Sequence, residues 1–311
     1  MDETDFRLCQ LLMLDPRMQY REIADRLSVS IQAVHRRTRS LIEEGNLAGF
    51  TVDISQECLQ AFRACVWGIS KSQSIEKVVE PLSANDLTLE IFIGSGNFIY
   101  VIGILKNLSD LEPFVEYVKK TGMIQDVQAG IEGFGFVSGL KIMRGGTTQG
   151  EITLLDRRII NALHRDARKS ITDVSEELGI TIKTVRKRLS KLIDDRLIEF
   201  SLDWRTGESG GLFSMMMIEL RDEASKEEVS RRMTLSNSNY FLVGTFSNLP
   251  NIIVLLVWAR SIQEMGRLSD DVVNAEGVQS VMPYVLTRKY RSYNTWRDQM
   301  LVSSPSGMRK S

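Results

Sequence analysis

Along the start of the chain the apolar positions recur at helical spacing. Leu8, Leu11 and Leu12 share one face of a segment over 5–14, and Ile23, Ala24 and Leu27 one face of 20–27. Ile31, Val34, Thr38, Leu41 and Ile42 form a stripe over 31–44. Ser30 stands where an N-cap belongs, the triplet 28–30 makes a tight turn, and Gly45 suits a left-handed C-cap before an extended segment over 49–55. Two short helices joined so closely predict a helix-turn-helix with 31–44 as its recognition helix. The pattern then changes to apolar runs of strand length over 61–69, 87–93, 99–105 and 127–134, with helical periodicity over 75–82 and 108–121. That β-α-β-β-α-β order predicts a ferredoxin-like domain, two helices covering one face of an antiparallel sheet.

The whole pattern comes round a second time. A shift of 151 residues lays 5–47 on 156–198 without a gap, so that Asp5, Asp15, Arg17, Val34, Arg37 and Leu41 meet Asp156, Asp166, Arg168, Val185, Arg188 and Leu192. Gly179 takes the turn, Thr181 the cap, and Ile182, Val185, Leu189, Leu192 and Ile193 the buried stripe. A second sheet domain follows, with strands over 213–220, 240–245, 252–258 and 278–286 and helices over 226–233 and 262–274. The expected fold class is α+β. Two winged/helix-turn-helix DNA-binding domains (1–55 and 152–205) alternate with two ferredoxin-like domains (56–142 and 206–300), with a glycine-rich linker at 143–151 and a disordered tail at 301–311.

Composition narrows the class. With 43% hydrophobic and 25% charged residues over 311 positions there is apolar material for several cores. The longest apolar run, 252–259, falls well short of the roughly 18 residues a bilayer crossing needs. An acidic opening, MDETDF, is unlike a secretory signal, and three cysteines (Cys9, Cys58, Cys65) make no complete disulfide framework, so a reducing cytoplasm is the expected compartment. Lys plus Arg (39) balances Asp plus Glu (40), so any attraction to nucleic acid has to be local.

It is concentrated on the two recognition helices. Gln32, His35, Arg36, Arg37 and Arg39 point away from the first stripe, and Lys183, Arg186, Lys187, Arg188 and Lys191 away from the second, with no acid before Glu43 or Asp194 respectively. Surface helices usually mix signs to gain support three or four residues apart, and these do not. The caps Ser30 and Thr181 are expected near phosphates. Gln32, Ala33, Arg36, Lys183, Thr184 and Lys187, early in each helix, are expected at base edges, and Arg37, Arg39, Arg188 and Lys191 are expected to position the helix on the backbone. The alternative is a solvated basic face turned to protein contacts.

Other features have plainer readings. The two histidines, His35 and His164, and the scattered cysteines give no metal-ligand set, so neither metal nor cofactor is expected. Cys58 and Cys65 read as small core residues, with a redox sensor as the alternative, and the methionines of 214–217 read as strand core. The loop GSGNF at 94–98 lacks the Lys-Ser/Thr ending of a P-loop and reads as a hairpin turn. The segment 288–301 interleaves basic and aromatic residues, which suits either a DNA or neighbour-chain contact or aromatic packing on the second sheet domain.

Taken together, the opening aspartates (Asp5, Asp156), the Asp-x-Arg pairs (Asp15 with Arg17, Asp166 with Arg168), the basic recognition helices and the order of domains resemble the Lrp/AsnC transcription regulators, twice over and across nearly the whole chain. The resemblance implies a regulator that binds double-stranded DNA. It also implies sheet domains paired face to face, here within one chain, giving a pseudo-dimer with two unlike heads and a homodimer with four. In that family the loop between the second and third strands reads Gly-Asp-Tyr-Asp and lies near an effector pocket. Here it reads Gly94, Ser95, Gly96, Asn97 and Gly244, Thr245, Phe246, Ser247, so Ser95, Gly96, Asn97, Thr245, Phe246 and Ser247 are the candidates for a small-molecule effector, without the acids of amino-acid sensing. Siroheme decarboxylases resemble the same family in fold but use histidine and arginine in their sheet domains. Neither sheet domain here holds a histidine, so no enzyme is expected, a decarboxylase or a non-DNA-binding scaffold being the alternatives.

Overall fold

The computed structural model describes residues 1–137, 139–142, 148, 150–205 and 211–302, and among them no helix is long and apolar enough to cross a membrane. The opening periodicity becomes α1 (Glu3–Leu14), α2 (Tyr20–Leu27) and α3 (Ile31–Glu43). Asp2 and Asp5 cap α1 reciprocally, each carboxylate accepting the other's backbone N–H at 2.8 Å. Ser28 takes the left-handed turn at φ 54°, Ser30 Oγ accepts from Ala33 N–H, and Gly45 at φ 76° follows α3. The stripe of α3 is narrower than expected: Val34, Thr38 and Leu41 are buried, but Ile31 and Ile42, at its two ends, are exposed. β1 (Leu47–Ile54) then leads to the first sheet domain: β2 (Phe62–Ile69), α4 (Glu76–Ala84), β3 (Thr88–Gly94), β4 (Phe98–Leu105), α5 (Leu111–Thr121), β5 (Gln128–Val137) and β6 (Leu140–Ile142).

The second copy follows with α6 (Leu154–Leu163), α7 (Ile171–Leu178), α8 (Ile182–Asp194) and β7 (Ile198–Trp204). Its sheet domain is β8 (Leu212–Leu220), α9 (Lys226–Ser236), β9 (Tyr240–Phe246), β10 (Ile252–Ala259), α10 (Ile262–Val273) and β11 (Val278–Arg291), closed by α11 (Trp296–Val302). Each sheet buries one face under its own helices: Val66, Ile91, Val101 and Phe114 in the first, Met216, Ile253, Leu255 and Leu268 in the second. The methionine run therefore is strand core, alternating between the two faces of β8.

The other two faces meet each other, by closure rather than by simple stacking. Strand order β2-β4-β3-β11-β8-β10-β9-β5, with β5 also pairing β2, joins eight strands into a ring, and β6 adds to β5 outside it. β11 makes the first joint, leaving β8 after Leu286 and pairing Arg291 with Glu90 of β3. β5 makes the second, running Gln128 to Ile131 along β2 and then pairing Glu132 and Phe136 with Phe246 and Val243 of β9. This is why both strands outrun their sequence-based ends at 286 and 134: the added residues find their ladder partners in the other sheet, which local patterning does not register.

Below the ring, β1 and β7 pair antiparallel from Leu47 with Trp204 to Ile54 with Ile198, joining the two helical units. The aromatic stretch near the C-terminus packs across the pseudo-dimer instead of on its own sheet, Trp296 Nε1 donating to Ile104 O at 2.8 Å. Leu301 and Val302, expected in the tail, close α11, and Leu301 is buried. The rest of that tail, and residues 143–147 and 149 of the expected linker, lie outside the described residues.

Candidate nucleic-acid interface

Each recognition helix starts from a side-chain cap, Ser30 for α3 and Thr181 for α8, which accepts from Thr184 N–H at 3.2 Å. On α3, Gln32, His35, Arg36 and Arg39 are exposed and Ala33 is half-buried, while His35 packs edge-on against Tyr20 with ring centres 4.3 Å apart. On α8, Lys183, Arg186, Lys187 and Lys191 are exposed and Thr184 is half-buried.

Arg37 and Arg188 depart from the outward-facing expectation. Arg37 Nη1 binds Asp2 at 2.8 Å and Asp5 at 2.7 Å, and Arg188 Nη1 lies 3.5 Å from Asp156, itself part of the cap of α6. Both guanidiniums tie the recognition helix to the N-terminus of the first helix, where acids already offset the helix dipole. The signal was in the sequence: acid and arginine stand 32 residues apart in both copies. The free cations are thus Arg36 and Arg39 on α3 and four on α8, with no ion pair to these six among the described residues.

The heads are set relative to one another by reciprocal bonds between the copies. Arg17 Nη1 donates to Ala167 O at 2.8 Å, and Arg168 donates to Pro16 O at 2.7 Å and Met18 O at 3.0 Å. Ala167 N–H donates to Phe50 O, and Thr51 and Ser201 hydroxyls meet at 2.7 Å across the β1–β7 ribbon.

Under the ribbon runs a buried ionic network that the sequence reading missed. Asp53 Oδ2 lies 2.9 Å from both Arg291 and Arg297, Arg297 reaches Glu199 at 2.7 Å, and Glu199 meets Arg63 at 2.9 Å. Burial alone would raise the Asp53 carboxyl, but Arg297, His164 and Arg291 hold it far below the ordinary range. Burial opposes charge on His164, yet the Asp53 carboxylate wins and its pKa is raised. Ligand atoms of Asp53, His164 and Asp298 lie within 4.8 Å of one another, but the two guanidiniums on Asp53 already supply the positive charge a metal ion would bring. Lys289, Arg291 and Arg297 therefore serve this network, whereas Arg288 pairs with the exposed Glu76; only the alternation of basic and aromatic residues hinted at it.

The ring encloses a cavity of about 750 Å³, lined by Arg63, Glu90, Tyr100, Glu132, Trp204 and Phe246 among others. Of the six effector candidates only Thr245 and Phe246 line it. The others stitch the sheets or their own loop: Ser95 Oγ accepts from Val285 N–H, Ser247 donates to Ile131 O, Asn97 Nδ2 donates to Ser72 O, and Gly96 supplies a left-handed turn at φ 66°. Those loops sit where two strands change sheet, so their polar groups are taken by the joint.

A family model of winged helix-turn-helix DNA-binding domains matches the chain twice, over 1–45 and 152–199. The chain is 29% identical over 120 residues to an uncharacterised HTH-type transcriptional regulator of Pyrococcus abyssi, covering 38% of this chain and 82% of that one. It is 29% identical over 97 residues to the HTH-type transcriptional regulator LrpA of Pyrococcus horikoshii, covering 31% of this chain and 69% of the relative. Over nearly the full length the fold is similar to that of the siroheme decarboxylase NirDL, with a TM-score of 0.59, 11% identity, and coverage of 96% of this chain and 98% of that one. At that identity the likeness is one of fold.

Proposed function

We infer that the chain is a duplicated regulator of Lrp/AsnC type that controls transcription by reading double-stranded DNA with two unlike helices. The observation that carries this reading is the outward face of α8, where Lys183, Arg186, Lys187 and Lys191 stand exposed and free of ion pairs among the described residues. Cations without internal ion pairs break none by meeting phosphates, and each phosphate they neutralise releases counterions. Lys183, Thr184 and Lys187, early in the helix, face base edges; Lys191 grips backbone. α3 reads with Gln32 and Arg36 and holds with Arg39, so it is the weaker head. Unlike heads select an operator whose halves differ, where identical subunits would select a palindrome. Two such chains, meeting through their sheet domains, bring four heads to one DNA segment, and a small-molecule effector adjusts that binding.

Regulation is favoured over decarboxylation despite the shared fold, because the chain's two histidines, His35 and His164, lie on α3 and at the end of α6, outside both sheets. A positioned proton donor of that type is what decarboxylase chemistry would draw on. Turnover of siroheme by the purified protein would reverse this preference.

The deciding experiment is fluorescence anisotropy on a random duplex pool and on selected sequence, from low to physiological salt, beside Arg186→Ala/Lys187→Ala. Binding with a steep salt slope that the double variant loses is expected, and selection is expected to return an asymmetric site. No binding at low salt, or a perfect palindrome, would overturn the reading.

A further inference from the structure

The two heads differ in how one residue of the recognition helix is held. Tyr20, the first residue of α2, packs edge-on against His35 of α3 with ring centres 4.3 Å apart. The Arg168 guanidinium of the other copy lies over the same tyrosine ring, also at 4.3 Å. Arg168 is itself pinned, by its bonds to Pro16 O at 2.7 Å and Met18 O at 3.0 Å and by the ring of Phe50 at 5.2 Å. Arg168, Tyr20 and His35 thus form a run of planar groups from the body of the second head to the recognition helix of the first. A cation on an aromatic face and an edge-on ring pair are both favourable geometries, so each member restricts the next.

The second head has no such run. A shift of 151 residues puts Ile171 where Tyr20 stands and Arg186 where His35 stands. Arg17, the counterpart of Arg168, lies over Phe200 of β7 at 5.7 Å, a ring of the ribbon and not of the turn. Arg186 is exposed, with no ring or ion-pair partner among the described residues. On α3, Gln32, His35, Arg36 and Arg39 recur at i, i+3, i+4 and i+7 and are all exposed, so His35 lies in the middle of the outward face. An exposed side chain ordinarily loses rotamer freedom when it binds, and the ring contact with Tyr20 removes part of that freedom beforehand.

We propose that Tyr20 is a positioning residue of the first head, holding His35 to donate a hydrogen bond to N7 of a purine, so that this half-site rejects a pyrimidine at one position. The inference rests on the DNA-reading function and adds a third reader to Gln32 and Arg36. An imidazole carries at least one N–H donor in every tautomer. In the major groove guanine and adenine both offer N7 as an acceptor, whereas cytosine presents a donor and thymine a methyl group beside its one acceptor. Arg186, unconstrained and with five donors, suits the O6 and N7 of guanine together. The two heads therefore differ in the base they accept as well as in strength.

The full chain is first used to select its site from a random duplex pool. Anisotropy then compares that site with versions carrying a pyrimidine for each purine in turn, for the parent, Tyr20→Ile, Tyr20→Phe, His35→Ala and Tyr20→Ile/His35→Ala. Isoleucine is what the second copy has at this place, so Tyr20→Ile suits the helix-turn-helix, and circular dichroism checks that it folds. The parent should prefer one purine over its replacement by about fivefold or more, the worth of one good base hydrogen bond. Tyr20→Ile and His35→Ala should each bring that ratio below about twofold, with the salt slope and the affinity for random duplex unchanged. The double variant should lose no more than either single one, and Tyr20→Phe should keep the ratio. The chain has two histidines, His35 and His164, so the imidazole proton signals that His35→Ala removes are also the ones that Tyr20→Ile should move. A ratio kept in Tyr20→Ile or in His35→Ala, or losses that add in the double variant, would overturn the inference and leave the DNA-reading function standing. A parent chain without salt-dependent DNA binding would overturn both.

Discussion

Arg17 and Arg168 occupy the same place in the two copies and reach past one another, each donating its guanidinium to a backbone carbonyl of the other's turn. The exchange is uneven. Arg168 makes two bonds and lies over the rings of Tyr20 at 4.3 Å and Phe50 at 5.2 Å, whereas Arg17 makes one bond and lies 5.7 Å from Phe200. Arg168→Ala should therefore cost about 2 to 4 kcal/mol and Arg17→Ala about 1 to 2 kcal/mol, from the usual worth of charged hydrogen bonds and cation–π contacts. Urea unfolding of both variants checks the order; equal losses would mean that the second bond and the ring contacts of Arg168 add nothing.

Arginines that look alike on paper should separate in the laboratory. Arg37→Ala, which strips Asp2 and Asp5 of their partner, should lower stability by about 1 kcal/mol and leave the salt slope of DNA binding unchanged. Lys191→Ala should do the opposite, with an unchanged melting temperature and a slope flatter by about one unit across all sequences. Lys187→Ala should relax preference at one half-site. Measured slopes for the first two variants that coincide would contradict the division between anchor and contact.

Much of this was legible in the chain, for a physical reason. Caps, turns and helical stripes are local, and Ser30, Thr181, Gly45 and the two stripes lie within a few residues of what they control. The exchange of β5 and β11 between sheets and the inward turn of Arg291 and Arg297 onto Asp53 depend on partners more than a hundred residues away. Arg37 was misassigned because charge on a helix face does not say whether an acid from another helix waits for it. The Asp53 network escaped notice because its members are spread over β1, β7, β11 and α11.

Glu132 gives a test in pH. Its carboxyl titrates near 7 in the folded chain, above its unfolded value near 4.5. A group raised in this way favours the folded state below the unfolded pKa, and that contribution is lost as pH rises through the folded pKa. Glu132→Gln, neutral throughout, should thus gain stability relative to the parent between pH 5 and pH 8, on the order of 2 kcal/mol. Melting temperatures of the pair across that range decide it, and a constant difference would show that burial does not raise the Glu132 carboxyl.

Since β5 and β11 each end as a strand of the neighbouring sheet, the two halves are supplied already assembled, at the high effective concentration of parts on one polypeptide. Dilution does not pull one head from the other, and rising expression does not let two strong heads pair at the expense of a weak one. Their one-to-one stoichiometry is fixed when the chain is translated.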